Sequence, residues 1–388
     1  MKRYDSFTLT KLNGTTYILP IAQAQADSRK GISVNECGEF IWKLLSDEIT
    51  LENVVKECIS HFEANTPTEI EMVTTDVGAF VSQLEGLGML ACYSPVPNEA
   101  LPLSFRADFG GTSCAFYGET GELSSLFKDF PLLSVSSADS GASIRFEFVF
   151  GLSGVNSPTV IILKNPEFVI SEASQYYSIL VPGIPEIKEI ILSKDGLLAR
   201  FVMSAACIGE TAEKVFQVLR TVFLYNASLR GLFAIHSAGI AYEGKAWLFS
   251  AYSGTGKTTH VTLWNDLYGT PVINGDLNLI GFENGICTVF PTPWCGTSKV
   301  SVNKAYPLGG IFFLSRDTSD FVKEMSDDKK IINMWARCIS PVWDSEKLDR
   351  EKSVFEKIIP GILCAELHAT MNPSAAGVAK EAADKYLG

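Results

Sequence analysis

The stretch Leu248-Phe249-Ser250-Ala251-Tyr252-Ser253-Gly254-Thr255-Gly256-Lys257-Thr258-Thr259-His260 constrains this chain more than any other. An apolar strand ends at Ala251, a glycine-bearing turn follows, and Lys257-Thr258-Thr259 opens an amphipathic helix. Strand, loop and helix in that order are what a phosphate-binding loop needs. Glycines let backbone N–H groups converge on phosphate oxygens, and the helix N-terminus adds partial positive charge. Lys257 is expected to reach the outer phosphates and the Thr258 hydroxyl to ligate Mg²⁺, with Ser253, Gly254, Thr255, Gly256 and Thr259 completing a cradle for ATP. The pattern G-x-x-x-x-G-K-[ST] asks for glycine where this chain has Ala251. Alanine fits there if the backbone is in an ordinary region, because only a positive φ excludes it.

Two further residues are drawn towards that loop. Pro271-Val272-Ile273-Asn274-Gly275-Asp276 is a short apolar strand ending in a carboxylate. An acid at the end of a strand neighbouring the loop is where a nucleoside triphosphatase holds Mg²⁺, so Asp276 is a candidate metal ligand or catalytic residue. His236 lies in Ala234-Ile235-His236-Ser237-Ala238, the first strand of a hairpin that turns at Glu243-Gly244 and delivers the loop. It could reach the phosphates, but a lone strand histidine is also commonly a satisfied core residue. In Pro291-Thr292-Pro293-Trp294-Cys295-Gly296-Thr297-Ser298-Lys299, two readings stand side by side: a loop presenting Lys299 to phosphate, or a Trp294 that plugs the core edge. Arg316, ending the strand Gly310 to Arg316, is a weaker candidate for stabilising phosphoryl charge.

The 388 residues suit two or three domains. Residues 1–92 read as a self-contained unit: strands Phe7 to Leu12 and Thr15 to Pro20 across an Asn13-Gly14 hairpin turn, then three amphipathic helices. Thr68-Glu69-Ile70-Glu71 has the form of a capping box for the third helix. A hairpin with three helices predicts an α+β, winged-helix-like domain. Residues 93–102 carry three prolines and are expected to be a linker. Residues 103–232 read as a β-rich subdomain closed by a helix from Thr211 to Ser228, and 233–388 as an α/β domain.

Charge excludes the obvious role of a winged helix. Residues 1–92 hold seven basic and thirteen acidic side chains, a net −6, and the whole chain carries −12. So acidic a surface repels the phosphates of nucleic acids and anionic lipids. Nine cysteines stand singly without a C-x-x-C pair, and no apolar signal core or membrane-length apolar run occurs, which predicts a cytoplasmic protein with reduced thiols.

The segments Val34 to Leu45, Ile49 to Val55 and Asp76 to Gly88 resemble a PqqD-like domain, the RiPP recognition element. The resemblance implies that residues 1–92 bind the leader of a ribosomal precursor peptide, which adds a strand to the edge of the small sheet. The segment running from Ile235-His236-Ser237-Ala238 through Ser253 to Thr259 and on to Asn274-Gly275-Asp276 is similar to the HPr kinase/phosphorylase and phosphoenolpyruvate carboxykinase type of P-loop protein. That likeness implies an α/β kinase domain with a β-rich N-terminal layer, in which His236, Lys257 and Asp276 are catalytic and Thr258 and Asp276 hold the metal. Gly275 stands where the family has the first of two acids. The reading that follows is an ATP-dependent kinase acting on a Ser or Thr hydroxyl of a docked peptide, with a homo-oligomer possible. Two alternatives remain at this level: a kinase for a small hydroxylated molecule, and a nucleotide-gated peptide-binding protein without turnover.

Overall fold

Alternation of side chains along two buried strands organises the larger part of the molecule. In the computed structural model, which describes residues 1–388 except 27–28, 48, 88, 92–96, 131, 134–143, 151–159, 174, 253, 340, 342 and 344, the chain forms two compact units. The first comprises 1–101, 147–194 and 198–206, and the second 102–146, 195–197 and 207–388. The linker residues 93–96 and Ser253 lie outside the described residues.

In the first unit, β1 (Phe7–Leu12) and β2 (Thr15–Pro20) pair antiparallel, with Leu12 opposite Thr15. Asn13 and Gly14 supply the two positive φ values, 51° and 82°, that a two-residue hairpin turn requires. β3 (Ile32–Val34) adds to β2, and helices α1 (Glu36–Leu44), α2 (Leu51–His61) and α3 (Pro67–Gly86) follow. Asn35 caps α1 by accepting from the Gly38 N–H at 2.9 Å, and Thr50 caps α2 by accepting from the Asn53 N–H at 3.2 Å. The capping box of α3 is two residues earlier than the sequence suggests. Thr66 N–H donates to Glu69 at 2.9 Å, and Glu69 N–H donates back to the Thr66 hydroxyl at 3.3 Å. Pro67 then occupies the first helical position, where its missing N–H costs nothing. Ile18, Ile41, Trp42, Leu45, Val54, Cys58, Val77 and Leu84 make the core of this region. The same unit contains an antiparallel meander of Val160–Lys164, Val169–Glu172, Tyr176–Leu180, Ile187–Ser193 and Leu198–Met203.

The second unit begins with the hairpin β4 (Leu103–Phe109) and β5 (Thr112–Gly118), joined by Gly110 and Gly111, both at positive φ. Helix α4 (Glu210–Leu229) leads into β6 (Phe233–Tyr242), which turns back as β7 (Lys245–Ser250). After the loop, α5 (Lys257–Tyr268) ends on Gly269 in the left-handed region, as a glycine C-cap does. β8 (Val272–Asn274), β9 (Leu277–Glu283) and β10 (Ile286–Phe290) follow, with β9 antiparallel to β6. β11 (Tyr306–Arg316) runs parallel to β7. Helix α6 (Asp327–Arg337) passes directly into β12 (Cys338–Ile339), which pairs with β6. Helix α7 (Ser345–Ile358) precedes β13 (Leu363–Ala369), parallel to β11, and α8 (Ser374–Leu387) ends the chain described.

Period-two alternation divides the core of this sheet. Leu248, Ile311 and Phe313 face one way with Phe233, Ile235, Met334, Phe355 and Ile358. Trp247, Phe249, Phe312 and Leu314 face the other with Val261, Trp264 and the alanines of α8. Parallel strands buried on both faces read as continuous apolar runs, which is how β7 and β11 look in sequence.

Trp294 resolves the two readings of its loop in favour of a core plug. Its ring lies 5.5 Å from Phe109, 5.6 Å from Phe216 and 5.4 Å from Phe223, and its indole N–H donates to the Phe216 carbonyl at 2.9 Å. Lys299 is exposed. Replacing Trp294 by Ala removes a fully buried aromatic and is expected to cost about 3–5 kcal/mol, measured as a fall in the denaturant midpoint.

Candidate functional site

The turn between β7 and α5 is shaped by two glycines. Gly254 has φ 75° and Gly256, the residue preceding α5, has φ 118°, both closed to most side chains. Ala251 is fully buried and is not among the residues with positive φ, so alanine meets the condition the sequence set for it. The first N–H groups of α5 have no carbonyl partners within the helix and open towards the turn. Thr258 is exposed on that first turn, and Thr259 is half-buried beside it.

The parity of β6 places His236. Phe233 and Ile235 face one core and Ala238 and Ile240 the other, so His236 shares the face on which α5 packs. There its Nε2 lies 2.8 Å from the Lys257 Nζ, and its Nδ1 lies 3.2 Å from Asp276 Oδ1. Lys257 also donates to the Ala251 carbonyl at 3.0 Å. An ammonium only donates, so Nε2 must accept, and the ring proton is assigned to Nδ1, which donates to the carboxylate. Asp276, His236 and Lys257 therefore form one hydrogen-bonded chain. The hydrogen bond from His236 holds the Asp276 carboxyl below its ordinary range against the opposing effect of burial. Burial lowers the Lys257 pKa, with Asp276 opposing and Arg337 adding to the shift.

Asp276 is fixed by its own turn. The Asn274 side-chain oxygen accepts from the N–H groups of Asp276 at 2.9 Å and Leu277 at 3.0 Å, and the Asp276 carbonyl accepts from Ser237 N–H at 3.0 Å. The 295–298 turn closes over it. A Cβ at Gly275 would lie 2.0 Å from the Ser298 hydroxyl oxygen, and one at Gly296 would lie 2.8 Å from the Asp276 Cβ. Position 275 thus has no room for a carboxylate unless this turn moves.

A cavity of about 600 Å³ opens beside the loop, lined by Tyr252, Thr255, Arg316, Arg337, Glu366 and His368 among others. Arg316 is tied to the Gly254 carbonyl, and His368 Nδ1 pairs with Asp317 at 3.0 Å. Tyr252, Arg337 and His368 were not singled out by the sequence; an aromatic within a phosphate-type loop is a signal that would have pointed to the first. Among the described residues no group of three or more His, Cys, Asp or Glu could hold a metal ion. A single hydroxyl and a single carboxylate are too few to cage a cation, and would suit only one that keeps waters and is carried by phosphates. Every described cysteine is a free thiol, and among the described residues no helix is long and apolar enough to cross a membrane.

Residues 25–90 match the family described as Coenzyme PQQ synthesis protein D (PqqD), within the 1–92 segment whose helices resemble it. No curated protein matches. Among solved structures, the Hpr(Ser) kinase/phosphatase from Coxiella burnetii aligns with 12% identity over 40% of this chain and 93% of its own, at a TM-score of 0.24. An overlap at that score adds nothing to the argument from the site.

His260, on the helix that follows the loop, is buried against Phe249 at 5.7 Å. Burial pushes its pKa down to about 4, with Asp320 opposing. The native state therefore keeps the ring neutral while the unfolded chain takes up a proton near its ordinary value. Stability is expected to fall as pH drops below about 6.5 and to stop falling on this account near 4, by on the order of 3 kcal/mol. Unfolding midpoints across that range should show the loss in the wild-type chain and a flatter curve in His260→Leu.

Proposed function

We propose that this chain is an ATP-dependent kinase that docks a ribosomal precursor peptide through residues 1–92 and phosphorylates a Ser or Thr hydroxyl on it. The observation that carries the reading is the Asp276–His236–Lys257 chain at the mouth of a strand–turn–helix with two left-handed glycines. ATP is a substrate of this reaction. Its phosphates would lie on the turn and the first N–H groups of α5, with Lys257 turning from the Ala251 carbonyl to phosphate oxygen. Thr258 and Asp276 would hold Mg²⁺, which when bound neutralises charge between the outer phosphates.

Asp276 stays ionised and keeps one oxygen beyond its bond to His236, so it can accept the acceptor hydroxyl's proton. In the step proposed, the acceptor oxygen bonds to the γ-phosphorus as the bond from that phosphorus to the bridging oxygen breaks. ADP leaves with the electron pair, and the proton passes to Asp276. His236 orients the carboxylate and spaces it from the ammonium, which in direct contact would quench it as a base.

The PqqD match supports the peptide half of the reading. Within the first unit, β3 is an edge strand of its sheet, where an extended peptide could add. A cavity of about 610 Å³ lies nearby, lined by Thr16, Val34, Asn35, Phe40, Lys43 and His61 among others. Phe40 and His61 stack there at 3.8 Å, an apolar wall between polar ends.

The test is transfer from γ-labelled ATP to a peptide encoded beside the gene. Label is expected on the peptide, to fall about 100-fold or more in Lys257→Ala, and to fall when free leader peptide is added in excess. Label found on small molecules alone sinks the peptide reading, and tight nucleotide binding without transfer to anything points to a regulatory protein.

A further inference from the structure

A further cation reaches the site from α4, a helix that precedes it in the chain. Phe216, Arg220 and Phe223 recur at helical spacing on one face of α4. Both phenylalanines pack on the Trp294 ring, at 5.6 Å and 5.4 Å, and the Phe216 carbonyl accepts its indole N–H at 2.9 Å. Just beyond Trp294 the chain lies on the carboxylate, since a Cβ at Gly296 would come within 2.8 Å of the Asp276 Cβ. The plug that seats the 295–298 turn on Asp276 thus also carries Arg220, one helical turn from each phenylalanine, to the rim of the site.

Arg220 is half-buried, and among the described residues it has no hydrogen bond and no ion pair. Its charge is nonetheless felt at Asp276: after the hydrogen bond and charge of His236, the charges of Arg220 and Lys257 hold that carboxyl down. Lys257 responds to Asp276 and Arg337 but not to Arg220, which places Arg220 on the side of the carboxylate away from Lys257. The other titratable groups at this turn do not pair with it. The Cys295 thiol is pushed up by burial first, with Asp276 and Asp129 adding, and Asp129 is exposed.

A charge drawn out of water without a partner is costly, and an arginine close to a carboxylate yet out of contact with it leaves a gap that a ligand group can enter. Lys257 faces the phosphates of the donor. Arg220 faces the other side of Asp276, from which an accepting hydroxyl comes if Asp276 is to take its proton. A planar guanidinium there is shaped for a carboxylate, whose two oxygens match its paired N–H groups.

Resting on the kinase reading above, we infer that Arg220 is a substrate-binding residue that receives a carboxylate of the acceptor segment, beside the hydroxyl that is modified. That carboxylate belongs to an acidic side chain or to the end of the peptide, which present the same chemistry. Acceptors that carry it are preferred at this one point, although the chain as a whole bears −12 and repels acidic peptides elsewhere.

The experiment is steady-state transfer from γ-labelled ATP to synthetic forms of the peptide encoded beside the gene. These carry Glu or Gln on both sides of the labelled hydroxyl, each with a free or an amidated C-terminus, and are offered to the full chain, to Arg220→Gln and to Arg220→Lys. At about pH 8 Asp276 is ionised in all three proteins, so the readout is the KM for peptide. In the wild-type chain one of the two carboxylates should lower KM about 10-fold, and the form that does so identifies its source. The difference is expected to vanish in Arg220→Gln, with kcat changing far less. It should return in part in Arg220→Lys, the variant to rely on if the glutamine form fails to fold. A wild-type chain indifferent to both carboxylates overturns the assignment alone. So does an Arg220→Gln that raises KM equally for acidic and neutral forms, since Arg220 then only seats α4. A wild-type chain that labels none of the peptides overturns the kinase reading and the assignment with it.

Discussion

The site depends on one imidazole held between an ammonium and a carboxylate. Lys257 and Asp276 come from different sides of β6, one on the helix after the loop and one on the turn before β9. Left to themselves they would form a direct ion pair, each using the other's charge. With His236 between them at 2.8 Å and 3.2 Å, both stay charged and neither is consumed by the other. With Lys257 donating to Nε2, the ring accepts at one nitrogen and donates at the other, and so joins the two charges without bringing them into contact. Strand parity, the Asn274 turn and the left-handed glycines all act to hold those three groups in place.

Much of the scaffold can be read from local pattern. Asn13-Gly14 dictated a hairpin, and the apolar faces of α1, α2 and α3 gave helices at nearly the observed positions. The loop, His236 and Asp276 were legible because glycine, lysine and carboxylate each leave a mark on one short segment. The start of α3 was misplaced for a definite reason. Thr66-Pro67-Thr68-Glu69 and Thr68-Glu69-Ile70-Glu71 both satisfy the capping pattern, and it is the proline, at ease in the first helical position, that selects the earlier one. The β4–β5 hairpin was missed although Gly110-Gly111 between apolar strands marks it.

The features that escaped are those that depend on distant pairing. Arg337 is an ordinary helix-terminal arginine in sequence, and it reaches the loop only because Cys338 and Ile339 add to β6. No local signal encodes that ladder. Likewise, Gly275 looked like an absent acid. In the fold its place is filled by Ser298, whose loop is anchored by Trp294, so the glycine is a packing requirement of this chain.

That anchoring has a dynamic consequence. The residue that plugs the aromatic core and the residue that covers Gly275 are only four positions apart, on one short segment. The turn bearing Asp276 therefore cannot swing open by a small local fluctuation, because lifting Ser298 pulls on Trp294. The fold itself sets the carboxylate in place and leaves little of it to reorganise. The side of the site that carries Asp276 is rigid by construction.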